Sequence, residues 1–109
     1  MPYCIPMQSW LAVMRIVGRE KLVSFCSAHG GARKWIASWL SEAEAADWAS
    51  PQAIKDRYPA ASFLARNVVI FNVKGNDFRL EVVVAYQTGA VRILWAGTHA
   101  QYDRRHSKR

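Results

Sequence analysis

The stretch VVIFNVKGNDFRLEVVVAYQTGAVRILW, residues 68–95, decides the fold. Val68 to Lys74 is rich in β-branched residues, and Gly75-Asn76 separates it from Phe78 to Tyr86 as a hairpin turn would. Thr88-Gly89 then leads into Val91 to Trp95, so the stretch predicts a three-stranded antiparallel meander. Side chains alternate between faces with period two, and a two-residue turn at Gly75-Asn76 therefore pairs Val73 with Phe78, Phe71 with Leu80 and Val69 with Val82 on the core face. The opposite face holds Asn72 across from Arg79 and Ile70 across from Glu81. A second two-residue turn at Thr88-Gly89 would set Val84 against Ile93 and Val82 against Trp95 on the core face. It would also bring Thr98 opposite Arg79, completing a polar row of Asn72, Arg79 and Thr98. A longer second turn would break this row, because loop length sets register.

Upstream the period changes to helical. Arg19 to His29 places Leu22, Val23, Phe25 and Cys26 on one stripe, and Gly30-Gly31 ends it. From Ala32 to about Ala46, Trp35, Ile36, Trp39 and Leu40 recur at three- and four-residue spacing, which makes a face fit to cover a sheet. Ser50-Pro51 supplies an N-cap and a first-turn proline for a short helix through Arg57. The fold class is thus α+β: an antiparallel sheet with N-terminal helices on one face and the other face free for chemistry. Met1 to Val13 shows no sustained period, carries Pro2 and Pro6, and reads as an accessory extension. The working domain then runs from Met14, with a first strand at Arg15 to Val17, to Asp103, and residues 104–109 form a basic tail.

A chain of 109 residues holds one domain's core. Lys and Arg number 15 against 8 Asp and Glu, a formal charge of +7, so the surface attracts polyanions such as RNA, DNA or an acidic protein. Part of that charge is the tail of Arg104, Arg105, Lys108 and Arg109, which as solvated chain would say less about a partner. Cys4 and Cys26 make no disulfide framework and fit a reducing compartment. No apolar run approaches the ~18 residues of a membrane span, and the opening stretch lacks a signal peptide's basic start, so a cytoplasmic protein without membrane contact is expected. His29, His99 and His106 have no Cys or carboxylate at ligand spacing, so no metal is expected.

Several motifs in order carry a further signal: Ala46-Asp47-Trp48, Ser50-Pro51 with Ile54-Lys55, Tyr58-Pro59-Ala60-Ala61-Ser62, Phe71-Asn72-Val73-Lys74-Gly75-Asn76, Arg79-Leu80, and Gly97-Thr98-His99-Ala100 with Tyr102-Asp103. On these, the chain from Met14 to Asp103 resembles the HigB family, a branch of the RelE-type toxins. The resemblance implies a RelE-like fold and an endoribonuclease (mRNA interferase) that cuts messenger RNA, often on the ribosome. It also implies inhibition by a helix-turn-helix antitoxin of the HigA type. Toxins of this superfamily are similar in using basic and aromatic residues with no cofactor and no metal, a role that falls here to Lys74, Arg79, His99 and Tyr102. The cations expected to contact RNA are Lys74, Arg79, Arg92, Arg104 and Arg105.

The chemistry agrees with those residue types. Cutting RNA without a metal needs a base for the 2′-hydroxyl proton, positive charge for the phosphorane, and an acid for the leaving 5′-oxygen. An imidazole such as His99 serves either proton role near neutrality. Arg79 can grip a phosphate with two parallel N–H donors, Lys74 can add charge, and Tyr102 can stack on a base or pass a proton. Asp103 either orients His99 or caps the final turn. The tryptophans at 10, 35, 39, 48 and 95 read mainly as packing residues, and His29 and His106 receive no role. Two other classes remain. A non-catalytic RNA- or ribosome-binding module would leave His99 and Tyr102 without a task, and an inactive relative would sequester an antitoxin while leaving RNA whole.

Overall fold

A computed structural model describes residues 14–46, 48–75 and 77–107. The extension read at residues 1–13, Trp10 within it, and the turn residue Asn76 lie outside the described residues. The chain forms β1 (Arg15–Val17), α1 (Arg19–Ala28), a short 3-10 turn (Gly30–Ala32), α2 (Arg33–Ala45) and α3 (Pro51–Arg57). It continues through β2 (Ser62–Phe63), β3 (Val68–Val73), β4 (Phe78–Ala85), β5 (Ala90–Thr98) and α4 (His99–Ser107). Ser50 caps α3 as its sequence predicts, its hydroxyl accepting from the Ala53 N–H at 3.4 Å.

The five strands lie in the order β1-β5-β4-β3-β2. The expected antiparallel sheet is in fact mixed, because β1 pairs with β5 in parallel through Arg15 with Ala90 and Val17 with Arg92. Parallel neighbours need a long crossover, and here α1, α2 and most of the sheet lie between the two strands in sequence.

The first hairpin has the predicted register, with Val69 on Val82, Ile70 on Glu81, Phe71 on Leu80, Asn72 on Arg79 and Val73 on Phe78. The second does not. Ala85 pairs with Ala90, so the loop spans Tyr86 to Gly89, closed by the Gly89 N–H on the Ala85 carbonyl at 2.9 Å. Two-residue hairpin turns of the favoured kinds need positive φ at their first position, which β-branched Thr88 resists; only Gly89 takes it, at +73°. An irregularity between Glu81 and Val82 then shifts the register again: Val82 faces Ile93 while Glu81 faces Trp95, leaving Leu94 as the extra residue. Arg79 consequently lies opposite Gly97 and Thr98 opposite Phe78, so the row of Asn72, Arg79 and Thr98 is not formed. Trp95 moves from the expected core face to the outer face, beside Glu81 and Arg79.

The core contains Leu22 and Phe25 from α1, Ile36 and Trp39 from α2, Ile54 from α3, and Val69, Phe71, Leu80, Val82, Val84, Val91 and Ile93 from the sheet, all buried. Trp39 meets Phe71 edge-on at 5.4 Å between ring centres, and Trp48 stacks on the same ring at 6.2 Å. Side chains of this kind each contribute about 1.5–3 kcal/mol on full burial, which is what joins helices to sheet.

At the end of α2, Glu42 clasps α3. It accepts from the Tyr58 hydroxyl and pairs with Arg57. The Tyr58 hydrogen bond, opposed by partial desolvation and aided by Arg57, holds the Glu42 carboxyl below its ordinary range. A carboxyl depressed in the folded state stabilises above its unfolded pKa, and that stabilisation is lost as pH falls through the folded value. Glu42→Gln should therefore be less stable than the parent at pH 7, by under about 1 kcal/mol because the pair is solvent-screened. Urea unfolding across pH should show the gap closing below the ordinary carboxylate range; a constant gap would mean that the carboxylate charge is irrelevant.

Candidate active site

Thr98-His99-Ala100-Gln101 builds the start of α4. The Thr98 hydroxyl accepts from the Gln101 N–H at 3.1 Å, and the Gln101 side-chain oxygen accepts from the Thr98 N–H at 2.9 Å. This reciprocal pair satisfies two donors that a helix start otherwise leaves bare. The His99 N–H donates to the Asp77 carbonyl at 3.0 Å, tying the helix start to the β3–β4 turn. No helix is expected here from sequence, and residues 104–109 read as a basic tail, although Thr-x-x-Gln is a helix-start signature. Arg104 and Arg105 accordingly lie in a helix.

α4 crosses the outer face of β4 and β5, where it arranges the candidate residues. The Tyr102 ring lies 6.2 Å from that of Trp95, and the Arg79 guanidinium sits 5.9 Å from the Tyr102 ring centre. Arg105 lies 5.3 Å over the Trp95 ring, and its Nε donates to the Glu81 carboxylate at 3.3 Å. One turn before Tyr102, His99 is about half exposed, with its Nε2 3.7 Å from the Asp103 carboxylate. Gly97 makes room for the arrangement, since a Cβ there would stand 2.6 Å from both Trp95 Cζ2 and Gln101 Oε1.

Strand alternation adds Arg92 and Arg15 to the same face as Arg79, opposite Val83 and Ala90 respectively. The structure thus sets Arg79 against Tyr102 at the junction of sheet and α4, with His99 one turn earlier on the same helix. Lys74 is directed elsewhere. It turns the corner with φ +52°, and its Nζ lies 3.2 Å from where a Cβ on Gly31 would be. There it lines a cleft of about 670 Å³ on the helix side, with Glu42, Arg57 and Tyr58.

A second cleft, of about 800 Å³, opens where α1 and α4 flank β5 beyond the end of β1. Lys21, His29, Trp95, Arg104 and Arg105 line it, so it is continuous with the Trp95–Tyr102 pair. Lys21 Nζ reaches the Ile93 carbonyl at 3.4 Å, beside the irregularity, and His29 packs 5.2 Å from Phe78. Nothing in the local sequence marks Lys21 or His29, because α1 and β5 are far apart along the chain. Among the described residues no group of three or more His, Cys, Asp or Glu side chains stands at metal-ligand spacing.

A family model for the HigB toxin, the RelE-like toxic component of a toxin–antitoxin system, matches residues 32–105. The chain belongs to the HigB toxin family.

The HigB match takes in Lys74, Arg79, Arg92, His99, Tyr102, Arg104 and Arg105, and ends within α4. Membership makes the chain the toxic component of a toxin–antitoxin system and implies an antitoxin partner. No curated protein matches the chain significantly. Among the described residues no helix is long and apolar enough to cross a membrane.

Within a HigB toxin the outer face offers a dense field of cations interleaved with rings, the composition that suits a single-stranded nucleic acid. His99 opens α4, where the positive end of the helix dipole favours a nearby anion.

Proposed function

We propose that this HigB-family toxin is an endoribonuclease that cuts messenger RNA on the outer face of its sheet, in the cytoplasm and in association with translation, and that a HigA-like helix-turn-helix antitoxin neutralises it. One observation carries the reading: Arg79, Tyr102 and Trp95 are layered on that face, with His99 at the start of the helix that brings Tyr102 there.

In this reading Arg79 grips the scissile phosphate and neutralises charge as the 2′-oxygen attacks, because a guanidinium matches two phosphate oxygens at once. His99 is exposed enough to meet substrate and handles a proton, with Asp103 within reach to orient its ring. Tyr102 stacks on a neighbouring base. Arg92 and Arg104 draw the strand in by charge. Lys74 joins only if its flexible stem swings from Gly31 around the hairpin, so its contribution is secondary. The toxin domain is assigned to residues 14–103, and residues 1–13 to an accessory segment.

Brief induction in cells followed by mapping of RNA ends tests this, with purified protein and ribosomes as the second arm. New ends clustered at translated codons are expected, and co-expression of a helix-turn-helix antitoxin should suppress them. Tight antitoxin binding with RNA left whole would overturn the nuclease reading.

A further inference from the structure

Glu81 is the one charged side chain buried among the described residues, with 5% of its surface exposed, and it sits on the face that the nuclease reading gives to RNA. A carboxylate repels phosphate, so its place there calls for a task other than substrate contact. Its position supplies one. Glu81 is paired with Ile70 on one side and Trp95 on the other, in the middle of the sheet. It accepts from Arg105 Nε at 3.3 Å, two turns along α4 from His99, and the same guanidinium lies 5.3 Å over Trp95.

The contacts along α4 fall on one stripe. The capping box fastens its start, Tyr102 rests by Trp95 one turn later, and Arg105 reaches Glu81 one turn after that. Residues 99, 102 and 105 are three apart, which keeps them near one side of the helix. A nine-residue helix is too short to persist alone in water and depends on what holds it down.

We propose that Glu81 is a positioning residue: acting through Arg105, it clamps α4 to the sheet and so holds Tyr102 and His99 beside Arg79. Resting on the nuclease reading of the outer face, this inference gives Arg105 the task of fastening the helix, in place of the RNA contact expected from its charge. It also explains how a strongly basic toxin tolerates a carboxylate under its substrate surface: the carboxylate holds a cation of α4 in place.

The test uses the full chain with Arg105→Leu, Glu81→Gln and the double variant Glu81→Leu/Arg105→Leu. Removing one partner weakens the hold on the other, and removing Arg105 takes a cation from a buried carboxylate, whereas two apolar side chains can pack in place of a partly buried ion pair. Amide exchange in residues 99–107 should quicken by about tenfold or more in each single variant and return to within about threefold of the parent in the double. Messenger RNA cleavage in a ribosome-containing translation reaction should fall and recover in parallel. Should Glu81→Gln not fold, Arg105→Leu alters a partly exposed residue and still decides the matter. Unchanged exchange in α4 would overturn the clamp. Exchange restored in the double variant without restored cleavage would also overturn it, since Arg105's charge would then be needed by the substrate itself. If the parent cuts no RNA, the nuclease reading falls, while the exchange arm still shows whether the pair fastens α4.

Discussion

His99→Ala is expected to lower messenger RNA cleavage by ~10² to 10⁴, the usual loss when a positioned proton-transfer group is removed. The side chain is about half exposed and contributes no core packing, so the variant should unfold within about 0.5 kcal/mol of the parent. That separation makes the result interpretable, because a fall in rate at constant stability reports on chemistry alone. Arg79→Ala should show a comparable loss, and Arg79→Lys should recover little of it, since an ammonium cannot grip two phosphate oxygens in the planar manner of a guanidinium. The check is single-turnover cleavage by ribosome-bound protein, with circular dichroism on the same samples. Full activity in His99→Ala would reduce His99 to the first residue of a helix and leave the proton transfers to other groups.

Trp39→Ala is the largest expected stability change. The side chain is 1% exposed and touches both Phe71 and Trp48, so truncation removes a large apolar surface and opens a cavity that a rigid sheet cannot close. The expected cost is about 3–5 kcal/mol, a large share of the roughly 5–15 kcal/mol that holds a domain together. Thermal unfolding should drop by roughly 15 °C or more, or the protein should fail to accumulate. Trp39→Phe should be far milder. The indole N–H has no hydrogen-bond partner among the described residues, so the smaller ring loses packing volume and little else. Equal damage from both variants would show that the indole N–H matters after all.

What the sequence revealed of the site follows from where its information is local. Arg79, His99 and Tyr102 stand out by motif and residue chemistry; the Arg79 guanidinium meets the Tyr102 ring, and His99 begins the helix that carries Tyr102. The direction of Lys74 does not stand out, because a left-handed backbone at a turn sends its side chain toward Gly31, a residue 43 positions away. Glu81 reads in sequence only as the outer-face neighbour of Ile70; the helix laid across it is what makes its charge matter. The start of α4 was legible in principle, through Thr98 and Gln101.

Alternation of apolar residues in β3 and β4, with glycine at their turn, determined by itself which side chains face the core there, since a strand has only two faces and a hairpin closes at a position its own residues choose. The face of Trp95 and the course of α4 were decided in three dimensions. Both depend on a four-residue loop and one extra residue in β5, and the Lys21 ammonium reaches that spot from a helix 72 residues earlier. Register beyond a bulge is settled by whichever distant groups satisfy the displaced backbone, and no short window of sequence contains them.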